Sequence, residues 1–179
     1  MGLLAAIMLA VYLANPFGTA SLAPRARLLG VALYKIPSRS MEPTLQQGDF
    51  IRANAARYAF ADPQVGDLVV FRFPPQRSIA YVKRIAGIPG DRVRIDGGRL
   101  YVNERPVTEP YLAQQALRQP DSLRMAERTV PAGQYFMLGD NRDNSNDSRY
   151  WGYVPRADLV GRVFAVWYAE DTRRIGSVR

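Results

Sequence analysis

The chain opens on an unbroken apolar run, Leu3 to Ala14, inside a stretch from Met1 to Pro24 that has no charged side chain. As a helix, this run rises about 1.5 Å per residue to roughly 18 Å, short of the roughly 30 Å hydrocarbon core of a bilayer. Asn15-Pro16-Phe17-Gly18 then breaks it. The pattern leaves three readings open: a truncated or interfacial membrane anchor, a cleavable signal segment, or an ordinary core helix. No Lys or Arg precedes the run, which weighs against the second. Another apolar stretch, Leu28 to Tyr34, leads directly into Ile36-Pro37-Ser38-Arg39-Ser40.

From Tyr34 onward the pattern is that of strands and turns. Strands are predicted over Asp67 to Phe73, Ile79 to Ile85, Arg92 to Ile95, Arg99 to Val102, Tyr135 to Leu138 and Leu159 to Tyr168. Turn chemistry separates them at Gly66-Asp67, Pro74-Pro75, Gly87 to Asp91 and Asp96-Gly97-Gly98, the last a hairpin signal. The expected class is mainly β: an antiparallel sheet core with a small cap and a short N-terminal apolar helix. Between Glu104 and Pro131 the chain turns more polar, with weak helical character over Leu112 to Leu117 and Ser122 to Glu127. The resulting layout is an N-terminal apolar segment and linker (1–33), a β core (34–103 and 132–170), a cap or insertion (104–131) and a C-terminal tail (171–179).

Composition narrows the chemistry. A hydrophobic fraction of 47% supports a packed core in one ordinary domain. The chain has no Cys and no His, so thiol nucleophiles, disulfides and every Ser-His-Asp arrangement are absent, along with the common zinc, haem and iron–sulfur ligand sets. Acid–base work falls to Asp, Glu, Lys or Tyr. The net charge of +8 comes from scattered arginines; of 24 basic residues, two are lysines, Lys35 and Lys83. A position that needs only positive charge tolerates Arg, whereas one that needs a deprotonatable amine does not.

Period two places Ile79, Tyr81, Lys83 and Ile85 on one strand face, with Arg84 on the other. An amine among apolar neighbours loses basicity, which suits Lys83 to act as a general base. The alternative is a lysine whose stem covers apolar surface while its head reaches water. A matching nucleophile lies in Ile36 to Leu45, where Pro37 and Pro43 restrict the backbone around Ser38 and Ser40. Taken alone, that segment reads more often as a turn with local hydrogen bonds than as a catalytic site. Lys35 is poorly placed for Ser40, since five extended residues span roughly 16 Å.

Gly139 to Gly152 is dense in Asp, Asn, Ser and Arg. It is not a calcium loop: Ser148 stands where the turn glycine belongs and Val154 where the bidentate Glu belongs. No phosphate-cradling GxxxxGK[ST] pattern occurs. What remains is a loop whose charges and amides brace one another, with one or two members aimed at a site.

Four ordered blocks, Ile36 to Leu45, Gly66 to Phe71, Tyr81 to Asp91 and Gly139 to Gly152, together resemble bacterial type I signal peptidases over about Tyr34 to Tyr168. The resemblance implies Ser40 as nucleophile and Lys83 as general base. It further implies the Ser38 hydroxyl and the Ser40 N–H as oxyanion donors, and Ser145 as the group orienting the Lys83 amine. Asp147, Arg149 and Arg84 become a supporting ion-pair shell. Tyr34, Ile36, Pro37, Tyr81 and Val82 are expected to receive an extended substrate by strand addition, with Met41 and Leu45 helping to form the small pocket before the cut.

By the same resemblance no metal or organic cofactor is expected. The partners are signal-peptide-bearing preproteins and a membrane lipid surface, with no nucleic acid. The place is the bacterial cytoplasmic membrane, with the catalytic part on its extracytoplasmic side. Two other readings fit parts of the chain: a conjugation-type or self-cleaving Ser-Lys peptidase with a dedicated substrate, and a basic β-barrel module that binds nucleic acid through strand Tyr and Arg.

Overall fold

The computed structural model describes residues 2–112 and 117–178. The apolar run forms helix α1 (Gly2–Ala14), which buries no side chain; Leu3, Leu4, Leu9 and Leu13 all face outward. The core-helix reading is therefore set aside, because among the described residues nothing buries any side chain of this helix. Among the described residues no helix is long and apolar enough to cross a membrane. The Arg27 guanidinium ties α1 to the body, lying 5.0 Å from the centre of the Tyr12 ring, and the Tyr12 hydroxyl donates to the Leu22 carbonyl at 3.0 Å. Arg27 belongs to α2 (Pro24–Leu29), which starts on proline and stops at Gly30 in the left-handed region, φ 69°.

Among the described residues the body consists of twelve strands in two antiparallel sheets. In chain order come β1 (Val31–Lys35), β2 (Phe50–Asn54), helix α3 (Arg57–Phe60), β3 (Leu68–Arg72), β4 (Ala80–Gly87), β5 (Arg92–Asp96), β6 (Arg99–Val102) and β7 (Arg105–Pro106). There follow α4 (Pro120–Leu123), β8 (Arg124–Thr129), β9 (Gln134–Leu138), α5 (Ser148–Trp151), β10 (Val154–Pro155), β11 (Leu159–Tyr168) and β12 (Gly176–Ser177). The larger sheet runs β1-β2-β11-β3-β4-β9-β10, with β12 on β11, and the smaller runs β7-β6-β5-β8.

All six strands expected from the sequence form, and Asp96-Gly97-Gly98 closes the β5–β6 hairpin. Ser122 to Glu127, expected as weak helix, divides between α4 and β8. Only Met125 and Ser122 are buried there, so periodicity carried little signal, and pairing of Met125 with Ile95 on the open edge of β5 sets the conformation. Most of the Leu112 to Leu117 expectation lies outside the described residues. The smaller sheet straddles the expected boundary at 104, because β5 and β6 pair with β8 and β7 rather than with the larger sheet. The expected tail is also tied down: β12 pairs with β11, and Arg174 reaches buried Asp49 at 2.7 Å.

Two features of the larger sheet matter for the site. Strand β1 pairs with β2 alone, leaving its other edge open. Strand β4 pairs with β3 from Ala80 to Arg84, but with β9 only from Arg84 to Gly87, so Ala80 to Lys83 also present a free edge. A core of Ile36, Met41, Leu45, Ile51, Ala53, Val70 and Val163 packs the segment after β1 onto this sheet.

Strand β11 passes close to the end of β2 at Gly161, where a Cβ would lie 2.5 Å from the Asn54 carbonyl oxygen and 2.8 Å from the Ala55 Cα. Both contacts are backbone and cannot yield as a flexible side chain would. Gly161→Ala is therefore expected to destabilise the fold by about 1–3 kcal/mol, read as a lower melting temperature in thermal unfolding.

Candidate active site

Ser40 sits on the segment that leaves β1. Met41 and Leu45, both fully buried, pin this turn into the core, and the Leu45 N–H donates to the Met41 carbonyl at 2.9 Å. From the other side Asn141 holds it: its backbone N–H donates to the Ser40 carbonyl and its side-chain amide to the Arg39 carbonyl, each at 3.1 Å. The Ser38 and Ser40 hydroxyl oxygens are 3.2 Å apart.

Lys83 approaches from β4. Its Nζ is 2.6 Å from the Ser40 Oγ, and it donates to the Val82 carbonyl at 3.1 Å. Lys83 is 3% exposed, and burial pushes its amine from 10.5 down to about 8, while the carboxylates of Asp147 and Asp140 pull it part of the way back. The residue expected to be an amine among apolar neighbours is thus buried and in contact with the expected hydroxyl. Lys35, the other lysine, lies 5.6 Å from the centre of the Phe50 ring.

Ser40, Lys83 and the free edges share one cleft of about 710 Å³, lined by Tyr34, Lys35, Ile36, Pro37, Ser38, Ser40, Met41, Val70, Ile79 to Lys83, Asp143 to Asn146 and Tyr150. Tyr34, Ile36, Pro37, Met41, Tyr81 and Val82 are therefore brought together as expected. Leu45 is not; it lies entirely within the core, holding the turn from behind. Ser145 lines the cleft, but its buried hydroxyl has no hydrogen-bond partner among the described residues, and the Val82 carbonyl holds the Lys83 amine instead.

The expected ion-pair shell resolves into two separate pairs. Asp147, completely buried, accepts two guanidinium N–H bonds from Arg149 at 2.8 and 2.9 Å and the Gly139 N–H at 3.0 Å. Arg84 donates to Asp140 at 2.9 and 2.7 Å, in the two-pronged geometry of a guanidinium on a carboxylate. Asp140 also accepts the Thr44 hydroxyl at 2.5 Å, so one carboxylate links the strand carrying Lys83 to the turn carrying Ser40. Sequence reasoning gave Asp140 and Thr44 no role. The pairing of Arg84 with an acid in the Gly139 block was the available clue, whereas the Val82 carbonyl has no signature in side-chain identity.

The family model described as signal peptidase, peptidase S26, matches residues 3–168. The chain belongs to that family. Similar family members include the signal peptidase I of Pseudomonas aeruginosa, 42% identical over 180 residues, with 75% of this chain and 63% of the relative covered. A probable signal peptidase I-2 of Synechocystis is 44% identical over 136 residues, covering 72% and 59%. The chain thus spans less than two thirds of the length of these curated relatives. A crystal structure of a signal peptidase I from Enterococcus faecalis is similar in fold, with TM-score 0.50 and 33% identity over 57% of this chain and 97% of that one. The mainly antiparallel β architecture is that of the S26 signal peptidases.

Burial of Lys83 has a consequence for stability. The amine gives up its proton near pH 8 in the folded chain and near 10.5 in the unfolded one. Between those values the unfolded state binds more protons, so stability rises with pH across that window. Below it, the folded protein carries the full cost of an ammonium out of water. Lys83→Met, which removes that cost, should be more stable than wild type at pH 6 by roughly 3 kcal/mol, the gap closing as pH approaches that of an exposed lysine. Chemical denaturation at several pH values measures this.

Proposed function

We propose that this protein is a serine endopeptidase that removes signal peptides from exported preproteins through a Ser40–Lys83 acyl-enzyme mechanism. The observation that carries the proposal is the 2.6 Å approach of a buried lysine amine to a serine hydroxyl, in a cleft bounded by two unpaired strand edges. Membership of the S26 family supports it.

In this mechanism the neutral Lys83 amine takes the Ser40 proton, with one of its N–H groups directed at the Val82 carbonyl so that its lone pair faces Oγ. Ser40 attacks the scissile carbonyl, and the oxyanion is received by the Ser38 hydroxyl and the Ser40 N–H. The Lys83 ammonium passes its proton to the departing amine, leaving the signal peptide esterified to Ser40. A water deprotonated by the same amine attacks the ester and frees the acid. Ser145, whose hydroxyl is not otherwise engaged among the described residues, supports the ammonium while it carries the extra proton. The substrate lies extended between the edges of β1 and β4 and adds main-chain hydrogen bonds to both. Tyr34, Ile36, Met41 and Val82 surround the side chains that precede the cut.

In the same proposal residues 1–33 attach the catalytic body to the cytoplasmic membrane on its extracytoplasmic side, residues 34–103 and 132–170 carry the chemistry, and residues 104–131 cap it. The support for membrane association is α1, whose apolar side chains are exposed on all sides.

The test is cleavage of a precursor peptide with an Ala-x-Ala junction in detergent. Wild type should cut once, after the second alanine. Ser40→Ala and Lys83→Arg should each lose at least about a thousandfold in kcat/KM, the latter because a guanidinium cannot accept a proton in this pH range. Substantial activity in a folded Lys83→Arg variant overturns the assignment. Because the working form is the neutral amine, kcat/KM should climb with pH and level off above about 8.

A further inference from the structure

Glu109 and Tyr111 lie at the root of the cap, outside the cleft, and the chemistry above makes no use of them. Both are nonetheless turned into the molecule. The Glu109 side chain, 4% exposed, pairs with Arg142, which is 1% exposed. Tyr111 donates its hydroxyl to Glu109 Oε1 at 2.7 Å, and its ring lies 4.3 Å from the Arg84 guanidinium carbon. The Leu100 N–H, on β6, reaches Glu109 Oε2 at 3.3 Å, so the smaller sheet holds this carboxylate from behind.

Followed inward, these contacts lead to the nucleophile. The Arg142 Nε donates to the Gly139 carbonyl at 3.1 Å, and the Arg142 carbonyl accepts from Arg149 at 2.6 Å. Arg84 holds Asp140, Asp140 holds Thr44, and Asn141 holds the backbone of Arg39 and Ser40. The segment from Gly139 to Arg142 therefore grips the Ser40 turn on one side and two buried guanidiniums on the other. It has no slack: a Cβ on Gly139 would come within 2.6 Å of the Ser40 carbonyl oxygen.

We infer that Glu109 and Tyr111 are positioning residues for the Ser40 hydroxyl, acting through Arg142, Arg84 and the Gly139-to-Arg142 segment. The inference rests on the Ser40–Lys83 reading above. Buried guanidiniums require carboxylate partners. Among the ion pairs of the described residues, Arg84 has Asp140 and Arg142 has Glu109. Neutralising Glu109 removes the carboxylate that faces the Arg142 guanidinium. A shift of Arg142 pulls on the Gly139 carbonyl, and the Gly139-to-Arg142 segment that grips the Ser40 turn moves with it. The free edge of β4 ends at Lys83, one residue before Arg84, and β1 contributes no member to this network, so the effect falls on turnover rather than on binding.

The experiment measures kcat and KM of the full chain on the Ala-x-Ala peptide. Glu109→Gln should lower kcat about 10- to 100-fold with KM within about threefold of wild type, the scale expected when a reacting group is displaced by an ångström or less. Tyr111→Phe keeps the ring against Arg84 and loses the hydroxyl to Glu109; its kcat should fall about three- to tenfold. Ile95→Val, a destabilising change that removes one methyl from the core of the smaller sheet and leaves the backbone of its ladder partner Leu100 in place, should leave kcat at the wild-type value. Wild-type kcat in both network variants overturns the inference, as does a fall in kcat/KM carried by KM, or an equal loss of kcat in Ile95→Val. If Glu109→Gln does not fold, Tyr111→Phe decides alone, by the same criterion. Wild-type cleavage by Ser40→Ala is a different failure, because it removes the dyad reading and the inference with it.

Discussion

An ammonium taken out of water loses hydration that a neighbouring hydroxyl cannot replace, so a lysine buried beside a serine is driven toward its neutral form. The architecture around Lys83 depends on how far that drive is allowed to go. Complete isolation would leave the amine too weak a base to hold a proton in transit, and full solvation would keep it permanently protonated. Asp147 and Asp140 set the balance from a distance: neither forms an ion pair with Lys83, each is occupied by its own arginine, and their fields still raise the amine's basicity. Saturating both carboxylates with guanidiniums leaves enough field to temper burial without a direct partner that would lock the lysine as a cation.

This arrangement explains why the Gly139 block is so rich in charge. Its members hold one another and the backbone, with Asp147 bracing Gly139 and Asp140 bracing Thr44. Ser40 and Lys83 are 43 positions apart in the chain and on different elements, and the carboxylate of Asp140 links the two elements. Precision at the reacting atoms is thus delegated to a buried polar network, in which each donor and acceptor constrains the next.

Much of this was legible in the sequence because the relevant signals are local. Alternation over Ile79 to Ile85 put Lys83 on an apolar face, and a chain without histidine and with two lysines had few candidates for a base. The hairpin at Gly97-Gly98 and the long strand β11 were visible for the same reason. What escaped depends on tertiary partners. Strand β2 alternates over only five residues, with an arginine and an asparagine on its exposed side. Strand β8 owes its conformation to the edge of β5. Leu45 follows the nucleophile closely enough to suggest a pocket wall, yet the turn directs it into the core. The roles of Glu109, Thr44 and the Val82 carbonyl arise from proximity across 33 or more positions or from the backbone itself, neither of which residue identity encodes locally.

The free edges of β1 and β4 also bear on what the protein can meet. Unsatisfied edges on a flat sheet are docking rails for other sheets, and proteins ordinarily blunt them to avoid clumping. Here both rails line one cleft. Under the proposed function a lone, unfolded backbone threads between them, whereas the border strand of a compact neighbour carries bulk that a cleft of about 710 Å³ does not admit. Under that function, the recess sorts polypeptides by whether they have yet folded.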